Sequence, residues 1–132
     1  MKSIRSAFIT AMLAIVSLGL VGCGGQSGPP RYALSGTAHL ADDKPIPVGE
    51  VQLEPDSAAG NTGPGSMAQI RDGKFSVPAD QGVVGGKYIA TILAFDGVAS
   101  AESEQGNPLI KAPYVEKVEL PLKDSTVRFK IK

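Results

Sequence analysis

The chain has 132 residues, with 13 basic and 13 acidic side chains, one histidine, one cysteine and no tryptophan. That is enough chain for one domain. A single cysteine excludes an internal disulfide or a thiolate metal cluster, and balanced charge without a basic run or aromatic–basic interleaving excludes a nucleic-acid footprint.

Lys2 and Arg5 make a basic start with no acid nearby, residues 7–21 are apolar except for Thr10, Ser17 and Gly19, and Gly22-Cys23-Gly24-Gly25 follows. A secretory signal has this order: a positive start, about 7–15 apolar residues, then small residues at the cut. A spanning helix needs about 20 apolar residues, so a run that stops here in glycines argues against a permanent anchor helix. Leu20-Val21-Gly22-Cys23 resembles the lipobox of bacterial lipoproteins. The resemblance implies that Cys23 is diacylated and that the chain is cut before it, so that Cys23 becomes the first mature residue. Membrane lipid is then the expected partner. The chemistry fits, because each buried CH₂ contributes about 0.8 kcal/mol and two or more chains hold a protein stably where one is marginal. The competing reading is an ordinary signal whose apolar core ends near a free thiol; agreement of the basic start, the apolar core and the box favours the lipobox. Gly24 rather than Asp follows the cysteine, which in Gram-negative lipoproteins implies the outer membrane rather than the inner.

Cleavage before Cys23 leaves 110 residues with 11 basic and 13 acidic side chains. Residues 23–31 then form the lipidated cysteine and a tether, rich in glycine and stiffened by Pro29-Pro30. The eight residues after Cys23 reach at most roughly 28 Å.

From Tyr32 the apolar pattern has period two, which marks strands with one face inward. Leu34, Gly36, Ala38 and Leu40 alternate with Ser35, Thr37 and His39, and a turn follows at residues 42–45. Val51 and Leu53 alternate with Glu50, Gln52 and Glu54, and Pro55 ends that strand. Residues 56–66 form a loop of small residues. Ala68 and Ile70 lead through Asp72-Gly73 to Phe75 and Val77, a hairpin signature because the two-residue turn needs positive φ. Residues 87–95 are apolar on both parities, which places that strand centrally. A helix competes there, but β-branched and aromatic residues between glycines favour strand. Residues 96–113 form a second long loop, residues 114–120 a sixth strand, and Val127, Phe129 and Ile131 the inward face of a seventh.

Seven short strands and no convincing helix predict an all-β, seven-stranded antiparallel sandwich over residues 32–132, after a signal helix in residues 1–22. Parallel neighbours need long crossovers, and most joins here are short. Leu34-Ser35-Gly36-Thr37, Lys44-Pro45-Ile46-Pro47, Val51-Gln52-Leu53-Glu54-Pro55, Asp72-Gly73-Lys74-Phe75 and Gly85-Gly86-Lys87-Tyr88 occur in that order. The series resembles the transthyretin-like (prealbumin-like) and carboxypeptidase regulatory-like β-sandwich modules, especially those of small lipoproteins in planctomycete-type bacteria. Such turn and strand signatures specify fold far better than function.

Chemistry is sparse. His39 has no second histidine to share a metal, and reads as a polar residue on an outward strand face. The transthyretin-related branch that hydrolyses 5-hydroxyisourate uses several histidines and a characteristic C-terminal tetrapeptide; this chain has one histidine and ends Phe129-Lys130-Ile131-Lys132. Residues 82–87 are glycine-rich, but Gln81 and Tyr88 stand where a phosphate loop needs Gly and Ser or Thr. Asp42, Asp43, Asp56, Asp96, Glu102 and Glu104 would supply Ca²⁺ ligands only if their loops converged, and none has the spacing of a known calcium loop. An internal Lys–Asn isopeptide bond, found in some related surface modules, is not favoured, since the lysines are outward or terminal and Asn61 and Asn107 lie in loops. The expectation is an envelope lipoprotein with no catalytic residues, no cofactor and no metal, acting as a structural or interaction module with an envelope protein or glycan as partner. The alternative is a module that binds a glycan, peptide or calcium through loops 56–66 and 96–113. An enzyme ranks last, for want of a nucleophile–base pair.

Overall fold

The computed structural model describes residues 28–132. The signal helix, the lipobox residues Leu20, Val21 and Gly22, and Cys23 lie outside the described residues. Among those described, no helix is long and apolar enough to cross a membrane. Seven strands follow in order: β1 (Leu34–His39), β2 (Val48–Pro55), β3 (Ser66–Arg71), β4 (Lys74–Val77), β5 (Gly86–Phe95), β6 (Tyr114–Leu120) and β7 (Ser125–Lys130). They form one sheet in the order β6-β5-β2-β3-β4-β1-β7, nearly closed into a barrel.

The domain is all-β, as the alternation predicts, but the sheet is mixed rather than purely antiparallel. β1 and β7 pair in parallel, from Leu34 opposite Ser125 to His39 opposite Lys130. The inference from short joins fails here because it applies to strands consecutive in sequence. β6 brings the chain to the end of the sheet where β1 begins, and residues 121–124 carry it across to β1 instead of back along β6. Both strands therefore leave from the same end without a crossover helix.

β3 and β4 share only the Arg71–Lys74 register pair of their hairpin. Asp72 and Gly73 at its turn have φ of 49° and 74°, the left-handed values that this tight connection requires. The turn is also held from outside, since Asp72 N–H donates to Pro47 O and Gly73 N–H to Ile46 O. The inward residues of the nearly closed sheet make one core, and a two-layered antiparallel sandwich is not clearly formed. Leu34, Phe75, Val77 and Phe129 come from β1, β4 and β7, and Val51, Leu53, Ile70, Tyr88 and Ile92 from β2, β3 and β5. Phe75 and Phe129 stack with ring centres 5.9 Å apart and planes at 21°. The Phe75 ring occupies the space that a side chain at position 36 would need, and Val127 O closes the same space. Gly36 is thus fixed by packing.

β5 is central, between β2 and β6, and still alternates: Tyr88, Ala90, Ile92 and Ala94 are buried while Ile89, Leu93 and Phe95 are half-buried on the outer face. The lengths of β5 and β2 separate two ends of the sheet. At the first lie Leu34, Pro55, Ser66, Val77, Gly86, Leu120 and Ser125; at the second lie His39, Val48, Arg71, Lys74, Phe95, Tyr114 and Lys130. The tether joins the first end, where Tyr32 and Val83 exchange both backbone hydrogen bonds and Arg31 Nε donates to Gly82 O at 2.9 Å.

Phe129→Ala should destabilise the domain by about 3–5 kcal/mol, because it empties the ring space between Phe75 and the opposite side. Urea unfolding followed by far-ultraviolet circular dichroism measures the loss.

Candidate functional site

Three regions bear on function: the two long loops and the outer face of β4-β1-β7. Loop 56–66 leaves the first end of the sheet and loop 96–113 the second. Ten residues of β5 lie between them, about 30 Å at the usual rise. Asp56 therefore shares no site with Asp96, Glu102 or Glu104, and the convergence that a calcium site would need does not occur. Among the described residues, no three His, Cys, Asp or Glu side chains cluster closely enough to hold a metal ion.

Loop 56–66 is pinned by polar groups. Asp56 is buried, and its Oδ1 accepts the N–H of Ala59 at 3.3 Å, capping a single 3₁₀ turn at Ser57–Ala59 that Gly60 ends at φ 83°. Its Oδ2 meets the Lys117 ammonium on β6 at 3.0 Å. Asn61 Nδ2 donates to Gly85 O at 3.1 Å and Lys87 O at 2.7 Å. Asp56, Asn61 and Lys117 thus bind the loop to β5 and β6. Lys117 pairs with Asp56 and not with an asparagine, an ordinary ion pair rather than an isopeptide arrangement. The Lys117 ammonium holds the Asp56 carboxyl below the usual carboxylate range, with the Ala59 N–H assisting and burial opposing.

Loop 96–113 is organised by Asp96. Its Oδ1 accepts the N–H groups of Val98 and Asn107, each at 2.9 Å, and its Oδ2 the Asn107 side chain at 3.1 Å. These donors, Val98 N–H foremost, lower the Asp96 pKa. Gly106, at φ 88°, packs directly against the Asp96 carboxylate. Both loops hold a carboxylate that accepts hydrogen bonds from its own loop.

The remaining sequence candidates are scattered. Asp42 pairs with Lys44 at 2.7 Å, and Asp43 with Arg128 at 2.8 Å and Lys130 at 3.4 Å, all well exposed. His39 is half-buried at the second end; its Nδ1 is buried and has no hydrogen-bond partner among the described residues. In the glycine-rich run 82–87, Val83 N–H donates to Tyr32 O and Val84 N–H to the Tyr88 hydroxyl at 2.9 Å. Amides engaged in this way form no phosphate cradle.

Away from the tether, an open groove of about 680 Å³ lies on the outer face of β3, β4, β1 and β7, lined by Ser35, Thr37, Ser76 and Thr126 with Gln69, Arg71 and Lys74 alongside. Ser35 and Thr126 share a hydrogen bond of 3.1 Å across the parallel pair. The groove's only aromatic is Phe75, whose ring is buried in the core. Most of the groove's surface is apolar despite its Ser and Thr residues, Arg71 and Lys74 put positive charge at its side, and it offers no ring for stacking.

No family model matches the chain, and neither a curated protein nor a solved structure does so.

Residues 56–66 carry no apolar anchor, and polar groups hold the loop instead. The signal was present in Asp56-Ser57-Ala58-Ala59-Gly60: an N-cap residue, a short turn, and a glycine to end it. Lys117 was not legible, being 61 positions away.

Because the folded-state pKa of Asp56 is depressed, its charge stabilises the fold above the unfolded value of about 3.9, and that stabilisation is lost as pH falls through the folded value. Lys117→Gln should flatten the melting-temperature profile between about pH 5 and pH 2 without abolishing it, since Asp96 keeps its own donors. Thermal melts of both proteins across that range test this. Asp96→Ala should raise amide exchange at residues 97–107 while leaving β2 and β5 protected, as read by hydrogen–deuterium exchange mass spectrometry.

Proposed function

We propose that this protein is an exported lipoprotein, anchored to the bacterial cell envelope through acylated Cys23, whose β domain serves as a non-catalytic structural or interaction module. The observation that carries the reading is the order of Lys2 and Arg5, an apolar core and Leu20-Val21-Gly22-Cys23, followed eight residues later by the start of a folded domain. Two acyl chains give stable anchorage where one does not, and Gly24 in place of Asp supports the outer membrane. The turn and strand signatures support a transthyretin-like module, with the parallel β1–β7 pair as part of its frame. Loops held closed on their own carboxylates support a scaffold rather than a catalyst.

The second reading is a ligand-binding module at the same location. The groove lined by Ser35, Thr37, Ser76 and Thr126, with an arginine and a lysine alongside, favours it over a calcium site. It ranks second because the groove is open and lacks an exposed aromatic ring.

Intact mass of the membrane-fraction protein decides the anchor. Wild type should weigh as residues 23–132 plus acyl chains, and Cys23→Ala should be unprocessed and unacylated. A wild-type chain without lipid in the soluble fraction would replace the anchored reading with a freely secreted one.

A further inference from the structure

We propose that the first end of the sheet, where the tether joins, rests on the bilayer surface through the loop at residues 121–124, and that loop 96–113 is the end presented away from it. The proposal rests on the reading of Cys23 as the lipid anchor and adds an orientation to it.

Three observations lead there. The tether does not leave the domain at an arbitrary point. Arg31 is bonded to Gly82, and Tyr32 is paired with Val83, so the chain emerges at the first end in a fixed place. The remaining length is short: from Cys23 to Arg31 the chain spans at most roughly 28 Å. The ten residues of β5 alone extend about 30 Å, and loop 96–113 adds to that. An inverted domain, with loop 96–113 on the lipid, would need its first end farther from the surface than the tether reaches. An upright or tilted domain fits easily.

The third observation is what the first end exposes. Leu122 is 73% exposed at the tip of the turn between β6 and β7, above Gly85, with Pro121 before it and Lys123 after it. An apolar side chain beside a cation suits the headgroup boundary, where the apolar part enters and the ammonium stays at the phosphates. Val98 and Leu109 are also exposed, but they sit on the loop that the tether keeps away from lipid. A short tether holds the first end at an effective concentration in roughly the millimolar range, so a weak surface contact suffices to orient the domain.

The test uses the full-length acylated protein in vesicles of phosphatidylcholine and phosphatidylglycerol that contain a nickel-chelating lipid. A nitroxide is placed at Lys123→Cys in one sample and at Ser100→Cys in another; both positions are exposed, and Cys23 carries no free thiol once acylated. Nickel at the headgroups should relax the label at position 123 several-fold more than at position 100. Leu122→Ser should lower the relaxation at position 123 if the loop rests on the surface; an unchanged value, as for a domain held near the bilayer by its tether alone, would overturn the proposal, and so would equal or stronger relaxation at position 100. The mass of the same samples separates the two levels. Acyl chains present with either contrary pattern defeat the orientation alone, whereas a chain without acyl groups defeats the anchor reading and the orientation with it.

Discussion

Phe75 lies across the bare backbone of Gly36 and stacks on Phe129. This one contact joins β4, β1 and β7, strands separated by most of the domain's sequence. It works only because position 36 has no side chain, since the ring and Val127 O take the space between them. The parallel β1–β7 pair is held besides by its backbone hydrogen bonds, by Leu34, Ala38, Val127 and Ile131 in the same core, and by the Ser35–Thr126 hydrogen bond. With no disulfide available, such packing closes the core of the nearly closed sheet.

Once the sheet is folded this way, the placement of everything polar follows. Strands that run the full length send alternate connections to opposite ends. The two longest loops thus lie at opposite ends, and each has to satisfy its own backbone. Asp56 and Asp96 do the same work in each: a carboxylate turned inward to accept N–H groups from its own loop, one with a lysine from the neighbouring strand and one with an asparagine from the same loop. A carboxylate spent on holding backbone is a poor metal ligand. For this reason a sequence dotted with loop acids gives a domain whose acids serve its architecture.

Local pattern made the strands legible and distance hid the rest. Alternation, and for β5 a run of β-branched and aromatic residues between glycines, located the seven strands to within about two residues, and Asp72-Gly73 marked its turn because Asp and Gly tolerate the positive φ it needs. The parallel pairing of β1 and β7 was invisible for the opposite reason. It depends on where β6 delivers the chain, which no local window contains. Tyr88 shows the same limit at one residue. Its apolar bulk was readable as core, but its hydroxyl as the acceptor for Val84 N–H depends on the glycine-rich turn folding back over it. The asymmetry reached the site as well. Asp56 carried a readable cap motif, its partner Lys117 did not, and the hydroxyl groove required four strands to be placed side by side first.

The two free edges of the sheet belong to β6 and β7, and their residues bear on how such a domain can stand at a crowded surface. An unpaired edge invites another strand. β6 lies between Pro113 and Pro121 and places Lys117 and Glu119 on its exposed face, while β7 exposes Arg128 and Lys130. Charges and flanking prolines of this kind discourage edge-to-edge addition, which matters most for a protein that a lipid anchor would confine to two dimensions beside its own copies. The same residues leave the outer face of β4-β1-β7 unobstructed. A domain built in this way discourages sheet extension and leaves the outer face of β4-β1-β7, with Arg71 and Lys74 beside it, open.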